Sequence, residues 1–207
     1  MAFSLYDATI PVFQQLLGAA DSLITRAEAH CADGKASEAD IVDARLIDDM
    51  EPLSFQVKAI AMHSKGALDG VAAGSFSPTP GDYPDSFAAM HARIEDALAT
   101  VGSWDRTAIE ALVGQPMRFK LGEMVMPFTA DTFLMSFAMP NFQFHATTAY
   151  DILRAEGLGI GKRDYLGREL LVAASLRPEA IIQYHKEIIE QEDGNGNIRR
   201  CLIMEYM

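Results

Sequence analysis

The sequence predicts an all-α fold: a four-helix bundle with a small β-hairpin before the last bundle helix. Three observations predict it. Apolar residues recur at helical spacing in four long stretches. One short segment, PMRFKLGEMVMPF, switches to strict alternation, the period of a strand. Between the second and third helical stretches lies SFSPTPGDYP, with three prolines and a glycine in ten residues, a connection of crossover length.

In the first helix Ser4 caps, Asp7 follows three residues later, and Leu5, Val12, Leu16, Leu23 and Ile24 form the apolar stripe to about His30. Pro11 falls near the start, where a missing backbone donor disturbs little. CADGKAS reads as a loop, and Ser37 as the cap of a short helix running through Leu46. Asp40, Asp43, Asp48, Asp49 and Glu51 read as a solvated acidic face. Pro52 suits the first turn of the second helix, whose stripe is Leu53, Val57, Ile60, Leu68 and Val71, closed by Gly70 and Gly74. The third carries Phe87, Met90, Ile94, Leu98 and Val101 on one face, followed by a short amphipathic piece from Asp105 to Val113.

In the hairpin, Met117, Phe119 and Leu121 alternate with Arg118 and Lys120, Gly122 and Glu123 turn the chain, and Met124, Met126 and Phe128 continue the pattern. A lone hairpin is marginal in water, so it must lie against the helices. Thr129 or Asp131 caps the last helix, marked by Leu134, Phe137, Phe144 and Ile152, and Pro140 inside it predicts a kink. The glycine-rich GLGIGKRDYLG ends this domain, assigned to residues 1–169. Residues 170–207 read as an appendage of unknown role, dispensable for the bundle: RPEAIIQYHKEIIEQED as an amphipathic helix, GNGN as a turn, CLIMEYM as a short apolar end.

Charge narrows the function classes. Lys plus Arg number 17 against 29 Asp plus Glu, a net charge of -12. So acidic a chain is a poor match for nucleic acid, whose binding needs a basic face, and an anionic membrane surface is disfavoured for the same reason. Cys31 and Cys201 lie far apart without a CxxC pair, which fits free thiols in a reducing cytoplasm. The start MAFSLYDATIPVF lacks a basic segment and is not read as a signal peptide.

Histidines carry the candidate chemistry. His30 ends a helix, where its cation suits the dipole, and His185 falls in the appendage. His63, His91 and His145 border the apolar stripes of the second, third and last helices. They form either one cluster of imidazoles suited to zinc, nickel or iron, or three separate core histidines.

SLYDATIPVFQQLL, the hairpin end MPFTADTFL, and MSFAMPNFQFHATTAYDILRAEGLGIGKRDYLG resemble the DinB/YfiT-like bundle superfamily over residues 3–167. Within it they resemble a branch described as a domain of unknown function. The resemblance implies a divalent metal held by three histidines, one from the second helix and two from an HxxxH pair on a later helix. His63 matches the first and His145 one member of the pair, whose partner is Ala149 four residues on or Asn141 four residues back. The resemblance therefore implies a degenerate metal site at His63 and His145 that holds zinc or nickel weakly, because a catalytic zinc takes three protein ligands. The expected function is binding of a small molecule, or a structural role, in a homodimer. The alternative is a metal-dependent hydrolase or thiol transferase using the same two histidines. The dimer is expected from the apolar surface of Met117, Met124 and Met126 with Phe133, Phe137, Phe142 and Phe144.

Overall fold

The computed structural model describes residues 4–167 and the short strands Glu190–Glu192 and Ile198–Arg200. The chain divides into two compact units, Met1–Gly167 and Arg168–Met207. The first unit is mostly helical. Helix α1 runs Leu5–Ala32, capped by the Ser4 side chain, which accepts from the Asp7 amide at 3.2 Å. A short α2 (Glu38–Asp43) follows, capped by Ser37. The second apolar stretch is a run of three segments: α3 (Leu53–Ala61), a π-helical turn (Met62–Gly66) and α4 (Ala67–Ala73). Gly74 ends it with φ 71, a left-handed cap that an L side chain resists. Then come α5 (Phe87–Gly102), capped by Ser86, and the short α6 (Arg106–Glu110).

The hairpin forms as β2 (Pro116–Leu121) and β3 (Met124–Thr129), with Phe119 opposite Met126. Its apolar face divides: Met117 and Phe119 are buried, while Leu121 and Met124 at the tip are exposed. The sheet also has a third strand, so the fold is not purely helical with a hairpin alone. β1 (Ser75–Phe76), inside the proline-rich connection, pairs parallel with β2, Phe76 opposite Phe119. Gly70 permits this: a Cβ there would lie 2.9 Å from Phe76 Cβ, so only glycine lets the strand lie so close to α4.

After the sheet the chain enters α7 (Ala130–Phe133), a second π-helical turn (Leu134–Ala138) and α8 (Met139–Ala155). Thr129 caps α7 in a reciprocal box with Thr132. The disturbance expected at Pro140 is this π turn. Proline lacks the N–H that would bond Ser136 O, and its ring crowds that carbonyl; the wider turn just before it relieves both.

Helix α1 packs on α5 and α3 packs on α8, with further α1–α8 and α3–α5 contacts closing the group. The core includes Phe13, Leu17, Ile60, Leu68, Met90 and Phe142, all fully buried. Phe13 of α1 meets Phe142 of α8 edge to face, ring centroids 4.9 Å apart. Phe142→Ala is expected to cost about 3–5 kcal/mol, the transfer loss plus the cavity left behind. Urea denaturation checks it; a loss under about 1 kcal/mol would mean that the site collapses and refills.

Among the described residues no helix is long and apolar enough to cross a membrane. In the second unit, β4 (Glu190–Glu192) pairs antiparallel with β5 (Ile198–Arg200). Glu190–Glu192 is thus strand where the sequence pattern predicts helix. The rest of that predicted helix lies outside the described residues.

Candidate functional site

Pro52 precedes α3 and places Gln56 on its first turn, buried against the core. The Gln56 amide nitrogen donates to Glu51 O at 2.9 Å. That bond fixes the amide, so its oxygen faces α8 and accepts from His145 Nδ1 at 2.8 Å. With Nδ1 protonated, the lone pair of His145 is left on Nε2. The backing resembles that given to metal-ligating histidines, whose second nitrogen is oriented by an oxygen acceptor.

His63 sits in the first π turn, 4% exposed. Beside it the Ser64 hydroxyl donates to Ile60 O at 2.8 Å, tying down the wider turn. The His63 and His145 rings stack, centroids 5.5 Å apart and planes within 10°. Pairing 56 with 145 while 63 meets Phe137 at 5.8 Å shows that α3 and α8 run antiparallel here. Phe76 also approaches His63, at 6.0 Å, so β1 walls the site as well. His63 Nδ1 is buried and has no hydrogen-bond partner. Burial pushes its pKa down from 6.5 to about 3, with the neighbouring imidazole adding to the effect. Burial alone lowers that of His145 to about 4. Both rings are neutral at pH 7 and can donate electron pairs.

The third histidine lies elsewhere. His91 on α5 faces α1, its Nδ1 2.5 Å from Asp21 Oδ1 and its Nε2 3.6 Å from Glu28 Oε2. His30 stands in the last turn of α1, and His185 lies outside the described residues. Ala149 lies in an apolar crevice with Leu53, Val57 and Ile60, one turn beyond His145 and away from His63. Asn141 lies in the chain between Phe137 of the second π turn and His145 of α8, whose rings both meet that of His63. Its amide turns back along the helix and donates to Phe137 O at 2.7 Å. Among the described residues no three His, Cys, Asp or Glu side chains are grouped to hold a metal. The two imidazoles do not fit a resident catalytic metal.

The aromatic and methionine set divides in the same way. Phe133, Phe142 and Met117 are core, Phe137 and Met126 are partly covered, and Met124 and Phe144 are exposed. Sequence reasoning missed Phe55, which meets His145 edge to face at 5.6 Å and Tyr83 at 5.5 Å. It also missed Lys58, which lies outside the apolar stripe and which the fold buries. No local signal marks either, since both depend on how the connection 75–86 folds back over α3.

These helices, the small sheet beside them and the inward histidine pair define a DinB-like domain. The structure is similar to the crystal structure of a DinB family member protein from Shewanella denitrificans, with 26% identity and a TM-score of 0.67 over 79% of this chain and 92% of that one. The family described as a domain of unknown function, DUF1993, matches residues 5–166, and the chain belongs to it. No curated protein matches the sequence.

Proposed function

We propose that the protein is a four-helix bundle with a reduced histidine centre, which binds a small molecule and does not retain a catalytic metal. The observation that carries this reading is the stacked pair itself. Two neutral imidazoles, the half-buried His145 held by Gln56 and the buried His63 with an unpartnered Nδ1, stack on each other with no third such ligand grouped beside them among the described residues. Such a pair can hold zinc or nickel weakly, short of the three protein ligands of a catalytic zinc. Titration of tag-free protein with zinc tests it: weak binding that His145→Gln abolishes is expected, and tight stoichiometric binding would overturn it. Tight binding would instead favour the second reading, a metal-dependent hydrolase or thiol transferase at His63 and His145. The Gln56 bond that orients His145 is the observation in its favour.

The same reading makes the protein a cytoplasmic homodimer. Phe144 is 58% exposed, and Leu121, Met124 and Val125 form an exposed apolar tip on the hairpin. Light scattering at micromolar concentration is expected to give twice the chain mass, and Phe144→Asp to shift it to one. A wild-type particle of single-chain mass would refute the dimer.

A further inference from the structure

Two exposed apolar features of the first unit carry opposite charge. One is the tip of the β2–β3 hairpin. The cross-strand pairs Met117–Phe128, Phe119–Met126 and Leu121–Met124 share one face, but the hairpin outruns the core and leaves Leu121 and Met124 exposed. On the other face Arg118 lies opposite Pro127, and Lys120 opposite Val125. Between Pro116 and Thr129 the charges are Arg118, Lys120 and Glu123, one positive in excess. Among the described residues neither Arg118 nor Lys120 has a carboxylate within ion-pairing distance.

The other feature is the loop between α2 and α3, where Leu46 is 42% and Ile47 60% exposed. This loop is closed on itself. The Leu53 amide donates to Ala44 O at 2.8 Å and the Met50 amide to Ile47 O at 2.9 Å. Arg45 reaches Met50 O at 3.3 Å and pairs with Asp43. The two apolar side chains therefore stand out from a braced loop. Beside them Asp48 and Asp49 are exposed, with no ion pair among the described residues, and Glu51 lies close enough to act on the buried Lys58. Residues 43–51 set four carboxylates against Arg45, three negative charges in excess.

The open edge of the sheet is poorly suited to receive a second copy. β3 is an outer strand. The Arg118 amide donates to Gly74 O on the β1 side, so Pro127 opposite it turns its backbone to the open edge, where it has no N–H to give. What the hairpin offers is its tip.

We propose that in the homodimer each hairpin tip docks on the 44–51 loop of the second copy, Leu121 and Met124 on Leu46 and Ile47, with Arg118 and Lys120 facing Asp48 and Asp49. This rests on the homodimer reading above and names the surfaces that meet. A two-fold axis makes the pairing reciprocal, so the same contact forms twice. Apolar burial drives the association, and charge selects the surfaces: tip on tip, or loop on loop, would set like charges together.

Two charge-reversed full chains test it, Arg118→Glu with Lys120→Glu, and Asp48→Lys with Asp49→Lys, read by sedimentation velocity. Each alone is expected to weaken the dimer at least about tenfold, because like charges then meet. Mixed in equal amounts they should form a heterodimer, in which one contact keeps the native charges and the other joins the two reversals. Native mass spectrometry identifies it, since the two chains differ in mass. All four positions are exposed, and circular dichroism matching wild type checks that both variants fold. Loss in each variant with recovery in the mixture is a pattern that general damage to folding does not produce. A dimer unchanged by either variant, or folded variants that stay single in the mixture, would overturn the pairing and leave the homodimer reading standing. A wild-type protein of single-chain mass would remove both. Particles growing past two copies would mean contacts running head to tail, and would overturn the closed pairing.

Discussion

Between about pH 6.5 and about pH 4 the domain is expected to lose stability by up to about 2.7 kcal/mol for each pH unit, from two histidines alone. The folded pKa values of His63 and His145 are lowered from 6.5 to about 3 and about 4. In that window the unfolded chain takes up protons that the native state refuses, so stability falls as pH falls. Below the folded values the pair causes no further loss. Lowered carboxylates act in a separate, more acidic window. Arg106 holds Asp7 below the usual carboxylate range, and the Gly114 amide does the same for Asp131. Their contribution is present above the usual carboxylate pKa and lost as pH drops through the folded value. Urea melts at about pH 7 and about pH 5 separate the two windows. His63→Leu should remove about half the slope and, by deleting the unpartnered buried nitrogen, raise stability at neutral pH by about 1 kcal/mol. Equal slopes for wild type and variant would show that His63 is not held dry.

Asn141→His is expected to tighten zinc binding on the order of a hundredfold, about 2.8 kcal/mol of added binding free energy. The substitution releases the bond from Asn141 to Phe137 O and places an imidazole in the chain between the two residues whose rings meet that of His63. It also recreates an HxxxH pair with His145. Ala149→His, the other way to write HxxxH, should not tighten zinc, because that ring would enter the apolar crevice beside Leu53 and Val57. It should destabilise instead, by about 1–3 kcal/mol of overpacking. Calorimetric titration of both variants decides between the positions. An Asn141→His protein with wild-type affinity would mean that His63 and His145 do not converge on one ion.

The helices could be read from the sequence because burial imposes their period: the stripe Leu53, Val57, Ile60, Leu68 and Val71 is buried throughout. Caps at Ser4, Ser37 and Thr129 were legible for a local reason, since each side chain bonds an amide or hydroxyl three residues on. The strand Ser75–Phe76 was not, because two residues among prolines carry no alternation. Its pairing depends on Phe76 meeting Phe119, far along the chain. The histidines could be found from their stripes, and His63 and His145 do meet. What separates them from His91 is tertiary: Asp21 and Glu28 of α1 stand opposite His91, and nothing within its own helix shows that. Choosing Asn141 over Ala149 likewise needs the antiparallel crossing of α3 and α8.

The two π turns bear on the length of the chain. Each takes up one residue more than an α-helix would spend on the same rise, and the helices on either side keep their core faces. A sequence two residues shorter, with one deleted from each turn, would still bury Ile60, Leu68, Phe133 and Phe142 where they are now. It would lose the offset that turns His63 and Phe137 toward the stack. Phe137 also packs on Phe119 and Phe133, ring centroids 4.7 Å and 5.2 Å apart, so the offset serves the aromatic packing as well as the histidine pair. Single-residue insertions and deletions among relatives should therefore gather at Met62–Gly66 and Leu134–Ala138 and travel with the presence or loss of the histidine at position 63.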